Sequence, residues 1–215
     1  MAATGVPRAA ARRARERRIV DATRALFDER GAQEAHIDHI ARRVGINKAL
    51  IYRHFASKEE LFALTTTRYL TELGGLLDAV DAQTARPPER LRRGFEAFAD
   101  YGIAHPAFLD CTLSLLHRPP EDLRARVSDN VWLTLGQAMK GCVGWLAHVL
   151  DDLKVAEPDL RANQLFLQAI GVLHLARSGA GLHGLVPGTP TAFPISSAQV
   201  RAACVDLALV AARPD

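Results

Sequence analysis

Residues 37–62 read IDHIARRVGINKALIYRHFASKEELF. Ile37, Ile40, Ala41 and Val44 recur at three- and four-residue spacing, which is the apolar stripe of one short helix. Gly45 ends that helix, and Asn47 is a good N-cap for a second one, about Lys48 to Phe55. Ile51 and Phe55 stand four apart and face inward, which leaves Lys48, Ala49, Tyr52 and Arg53 outside. Ser57 caps a further helix, with Glu60 three residues later at the capping-box spacing. Two short helices joined through Val44-Gly45-Ile46-Asn47 have helix-turn-helix spacing. In such motifs the second helix enters the major groove of DNA and its N-terminal residues face base edges. The outward residues are suited to that role, being a cation, a small side chain that permits close approach, and an aromatic hydroxyl. Lys58, in the first turn of the next helix, stands where a cation and the amide dipoles would grip phosphate.

Charge points the same way. Residues 1–60 hold 13 Lys/Arg against 8 Asp/Glu, whereas residues 61–215 hold 14 against 16. The positive excess therefore lies in the first quarter of the chain, and a polyanion is its natural partner. A helix from about Ala11 to Arg30 precedes the motif, with Ile19, Ala22, Leu26 and Phe27 as its stripe and Gly31 as its stop. After the motif the chain reads as helix almost throughout, with breaks at Gly and Pro. The expected helices run from Ser57 to about Ala82, Glu89 to Ala104, Pro106 to His117, Glu121 to Val155, Asp159 to Ser178, and Ser196 or Ser197 to Ala212. Gly74–Gly75 is a point where the first of these would loosen, and Gly141–Gly144 a point of interruption in the fourth. Residues 179–195, GAGLHGLVPGTPTAFPI, read as a loop. The fold class is all-α, with a three-helix DNA-binding part over residues 12–60 and a helical remainder over 61–215, nine or ten helices in all.

The stretch from Arg17 to Leu64 resembles the TetR/AcrR family of transcription regulators. The residues that carry the likeness are Ile40-Ala41, Gly45-Ile46, Ile51-Tyr52-Arg53-His54-Phe55 and Ser57-Lys58-Glu59-Glu60-Leu61. The resemblance implies that Tyr52, His54 and Lys58 contact phosphates and that Lys48, Ala49, Leu50 and Arg53 face bases or nearby backbone. It makes Asn47 the cap of the recognition helix. His36 is also expected among the DNA-binding residues, although it departs from the family pattern, standing where Ser or Thr often caps the first helix of the motif. Leu50 and Ala49 replace frequent Thr or Ser and Gly, which favours apolar reading such as a thymine methyl.

One such unit reads few bases, so two should act together on a palindrome, and a homodimer is expected. The last two helices offer Leu165, Ala169, Val172, Leu173 and Ala176, and Val200, Ala203, Cys204, Leu207, Ala208 and Ala211. The resemblance implies a four-helix bundle of these across a two-fold axis. It also implies a small-molecule effector site in the C-terminal part, where large and polar side chains collect: Phe95, Phe98, Tyr101, Phe108, Cys111, Trp132, Met139, Trp145, His148, Phe166 and His174. The expected behaviour is repression of a promoter relieved by ligand. Ligand-dependent activation is the alternative within the family, and a helical binding protein or enzyme without DNA function is the rival outside it.

No nucleophile elbow, phosphate loop or HExxH motif is present, so catalysis is not expected. Cys111, Cys142 and Cys204 form no metal spacing, and neither metal nor cofactor is expected. No apolar run approaches the roughly 20 residues of a membrane span, and the basic N-terminus has no apolar segment after it. A cytoplasmic protein is expected.

Overall fold

The computed structural model describes residues 5–32, 36–84, 86–182 and 192–212. They form ten helices: α1 (Gly5–Arg30), α2 (Ile37–Val44), α3 (Lys48–His54), α4 (Lys58–Gln83), α5 (Pro87–Ala104), α6 (Pro106–Leu116), α7 (Pro120–Arg124), α8 (Asp129–Asp152), α9 (Pro158–Ser178) and α10 (Ser197–Ala211). The architecture is all-α, as expected. Two short strands, β1 (Ala180–Leu182) and β2 (Ala192–Pro194), pair antiparallel with Gly181 opposite Phe193. This ribbon lies in the segment expected to be only loop.

The expected helix from Glu121 to Val155 is in fact two, α7 and α8. The break falls at residues 125–128, not at Gly141–Gly144, which lie inside continuous α8. Ser128 is the reason. Its backbone N–H donates to the Glu60 carboxylate at 3.2 Å, and its carbonyl accepts from Trp132, so it begins a new helix. Gly74–Gly75 likewise does not interrupt α4.

The described chain divides into two compact units. The first comprises residues 1–69 and 110–136, the second residues 70–109 and 137–215. The first is thus larger than the expected DNA-binding part. Its core is built on Ile19, Phe27, Ile40, Ile51, Leu61 and Tyr69, each at most 1% exposed. Phe27 and Phe62 meet edge to face at 4.7 Å, and the Tyr69 hydroxyl donates to Asp28 at 2.7 Å. Burial and that carboxylate push the Tyr69 phenol well above its usual range.

The second unit packs α5 against α9 and α10. Its aromatic centre is Phe98, which meets Phe108 at 6.3 Å and Phe166 at 5.7 Å. Gly94 is required beside it, because a Cβ there would come 2.1 Å from Trp145 Cη2. Trp145 Nε1 donates to Asp81 Oδ1 at 2.9 Å, and Arg90 donates to Asp81 and Asp152 at 2.9 and 2.7 Å. Cys111, Cys142 and Cys204 are free and buried. Among the described residues no helix is long and apolar enough to cross a membrane, and no cluster of His, Cys, Asp and Glu could hold a metal ion.

Candidate nucleic-acid interface

The α2–α3 turn is fixed by two local devices. Gly45 takes the left-handed conformation, φ 75° and ψ 35°, and its N–H turns back to the carbonyls of Ala41 and Arg42. Two residues on, the Asn47 side chain accepts from the Leu50 N–H at 2.8 Å, which caps α3. The inner faces are then locked: Ile37, Ile40, Ala41, Ile51 and Phe55 are all buried. Rotation of α3 is set by Ile51 and Phe55, so the opposite face has to be outside. It is. Lys48, Ala49, Tyr52 and Arg53 are exposed, and Leu50 is half-buried at the edge.

The remaining expected DNA contacts divide. Lys48 Nζ lies 3.5 Å from Asp38 Oδ2, an exposed pair that competing phosphate can break at little cost. His36 is exposed at the N-cap of α2 and makes no side-chain cap bond, so its ring is displayed. His54 is different. Its side chain is 10% exposed, and Nδ1 sits 3.3 Å from Glu16 Oε1 of α1. The structure therefore binds His54 to α1 and does not present it on the outer face. Lys58 is half-buried, with Nζ 4.7 Å from the centre of the Phe62 ring.

Sequence reasoning read Glu60 only as a capping-box residue and missed the partner, Ser128, through which it positions this motif. Glu60 is 5% exposed. Its carboxylate accepts from the Ala56 N–H in the α3–α4 turn, and from the N–H and hydroxyl of Ser128 before α8. Ser57 Oγ accepts from the Glu60 N–H at 2.9 Å and donates to the Arg126 carbonyl at 2.6 Å. The capping box is thus formed in part: Ser57 caps the third residue of α4, but Glu60 reaches Ala56 and not the cap's own N–H. The signal for Ser128 was its helix-starting run Ser128-Asp129-Asn130.

The residues expected to line a ligand pocket do not come together as one set. Phe95, Phe98, Trp145 and Phe166 surround an apolar cavity of about 20 Å³ in the second unit, room for about one water. Tyr101 and Phe108 extend that cluster, their rings 5.6 Å apart. Cys111 and Trp132 belong to the first unit, the latter beneath Arg124 at 5.8 Å. Met139 is half-buried, and His148 and His174 are exposed on α8 and α9.

The residues expected at a dimer interface divide as well. Leu165, Ala169, Leu173, Val200, Cys204 and Ala208 are at most 2% exposed inside one protomer, so they have no surface left to offer a partner. Val172, Leu207 and Ala211 are half-buried and Ala203 is exposed, while Ala176 lies outside the residues whose side chains are described. The outward faces carry other apolar residues: Leu160, Leu167 and Leu175 on α9, Leu209 and Val210 on α10.

Residues 19–65 match the family described as "Bacterial regulatory proteins, tetR family". The chain is 35% identical over 88 residues to the HTH-type transcriptional activator FasR of Mycolicibacterium smegmatis, covering 40% of each chain. It is 32% identical over 77 residues to the HTH-type transcriptional regulator BetI of Brucella anthropi, covering 36% of this chain and 40% of that one. The aligned region thus spans about two fifths of these relatives' length. In fold the likeness extends further. The ketosteroid transcriptional regulator KstR2 of Mycobacterium tuberculosis superposes with a TM-score of 0.59 over 91% of this chain and 93% of its own, at 21% identity. Residues 19–65 thus carry a helix-turn-helix domain of the TetR type, and the chain as a whole shares the all-helical fold of such a regulator.

Proposed function

We propose that the chain is a sequence-specific DNA-binding transcription regulator, a homodimeric repressor that leaves a palindromic operator when a small, largely apolar ligand binds. The observation that carries this reading is the outer face of α3. Lys48, Ala49, Tyr52 and Arg53 stand exposed on a short helix whose rotation is locked from behind by Ile51 and Phe55. A cation and a guanidinium supply phosphate or guanine contacts, and Ala49 with Leu50 supplies a surface for a thymine methyl. His36 and Lys58 add phosphate contacts at the flanks.

Two recognition helices held about 34–36 Å apart would read a palindrome. The exposed Leu167 and Leu175 of α9 and Val210 of α10 provide the apolar face for a second copy. An apolar ligand would enter the aromatic cluster around Phe98 by repacking Trp145 and Phe166, since the cavity there is small as it stands. Helix α4 contributes Lys58–Tyr69 to one unit and Leu70–Gln83 to the other, and the ligand signal passes along it. The ligand shifts the equilibrium only by its differential affinity for the DNA-competent and released states. The dimer represses by occluding a promoter, in the cytoplasm. Activation is the second reading, favoured by the activator named FasR among the relatives.

A gel shift of the purified chain on the intergenic fragment upstream of its own gene, with excess unrelated DNA, tests the reading. A selective, salt-sensitive complex is expected. Absence of any selective complex would overturn it.

A further inference from the structure

The first unit holds a cavity of its own, about 150 Å³, all of whose lining residues lie between Ala32 and Leu123 within that unit. An apolar cavity of that size admits a benzene ring. This one is not apolar, and its polarity runs in one direction. Lys58, Phe62 and Thr66 follow at four-residue spacing along α4, so they form one row about 12 Å long. Asp110, Ser114 and Arg118 follow at the same spacing from α6 onward. The two rows run antiparallel. Arg118 Nη1 lies 3.6 Å from Glu59 Oε1, which puts Arg118 at the Lys58 end. Cys111, next to Asp110, shares a hydrogen bond with Thr66 at the other end.

The cavity therefore has a cationic end, a ring-faced middle at Phe62, and an acidic and hydroxyl end. Glu59 does not cancel the cationic end, because the same oxygen also faces Arg126 Nη1 at 3.8 Å, one carboxylate between two guanidinium groups. At the far end a carboxylate such as Asp110 has about four lone-pair sites and can accept from a ligand in addition to its present partners. A ligand matched to this gradient has a carboxylate at one end, a ring-sized body, and a hydroxyl or amine at the other.

We propose that this cavity is an effector site for a ring-sized hydroxycarboxylic acid, whose carboxylate engages Lys58 and Arg118 and whose hydroxyl donates to Asp110. The site is separate from the aromatic cluster of the second unit. Its regulatory consequence rests on the DNA-binding reading above. Lys58 cannot neutralise an operator phosphate and the ligand carboxylate at once, so the two ligands oppose each other through one ammonium group. Reciprocity then requires DNA to weaken the acid by the same factor.

Calorimetric titration of the full chain with 4-hydroxybenzoate tests the site without DNA. Saturable binding is expected, weakened about tenfold or more with phenol, which lacks the acid, and similarly in Lys58→Met and Arg118→Gln. Arg201→Gln, which removes a surface cation from the other unit, should leave it unchanged, and circular dichroism confirms that each variant is folded. No binding at several millimolar, or equal binding by phenol or by both charge variants, overturns the site. The coupling is read on DNA with Arg118→Gln as the control. Saturating 4-hydroxybenzoate should make the slope of log K against log salt shallower by about 0.9 for each lysine withdrawn in the parent and leave it unchanged in the variant. DNA binding unaffected by bound 4-hydroxybenzoate overturns the coupling, whereas no DNA binding in its absence overturns the DNA reading and leaves the calorimetric result standing.

Discussion

Replacing Glu60 by alanine should destabilise the first unit and its DNA-reading motif together. The buried carboxylate accepts three hydrogen bonds: from the Ala56 N–H, the Ser128 N–H and the Ser128 hydroxyl. The hydroxyl can rotate to another acceptor, but the two amides cannot. Each orphaned amide costs at least about 1 kcal/mol, and bonds to a charged acceptor are worth more, so the loss is about 3 kcal/mol. For a chain of 215 residues that lowers the melting temperature by about 6–12 °C. Glu60→Gln keeps one acceptor oxygen and should lose about half as much. Ser128→Ala removes the hydroxyl donor alone, and the double variant should show a coupling of about 1 kcal/mol with Glu60→Ala. Thermal melts followed by circular dichroism measure all four proteins. A Glu60→Ala melt within about 1 °C of the parent would refute the view that this carboxylate ties the α3–α4 turn to the start of α8.

Other outcomes follow from the same geometry. Gly94→Ala places a methyl against the Trp145 ring, and the resulting overpacking should cost about 1–3 kcal/mol in a denaturant titration; an unchanged midpoint would show that the ring moves freely. Burial pushes the Cys111 and Cys142 thiols up to about 12 and Cys204 to about 11. A raised folded-state value favours the folded chain below the ordinary thiol range, and that contribution is lost as pH rises from about 9 toward about 12. The melting temperature should therefore fall over that window, more steeply in the parent than in Cys142→Ala, and thiol labelling at about pH 8 should wait for unfolding. Leu167→Glu combined with Val210→Glu should yield folded monomers in light scattering that no longer hold a palindrome; a persistent dimer would place the interface elsewhere.

Local signals made the motif legible. Gly31, Gly45 and Asn47 each act through their own backbone or the next turn, so sequence spacing locates them, and α2 and α3 fall within a residue of the expected bounds. What escaped depends on partners distant in the chain. The split between α7 and α8 is made by Ser128 meeting Glu60, 68 residues away. The ring of His54 is turned inward by Glu16, 38 residues away. Helix α9 is apolar on both sides, so periodicity selects Leu165, Ala169 and Leu173 as a face without telling core from contact surface. Leu167 and Leu175, equally apolar, are the exposed ones. Aromatic composition found the cluster around Phe98. It could not place Cys111 and Trp132 in the other unit, nor find the cavity lined by Lys58, Asp110 and Arg118, whose residues are individually ordinary.

Whether the outer face of α3 reads DNA is decided by the salt dependence of binding to the upstream fragment, measured by fluorescence anisotropy for the parent, Lys48→Ala and Tyr52→Ala. A steep slope of log K against log salt is expected for the parent, and a slope shallower by about 1 per recognition helix for Lys48→Ala. Tyr52→Ala should lose selectivity over unrelated DNA, and all three proteins should remain dimers. Equal affinity and equal slope in all three would contradict a DNA-reading role for this face.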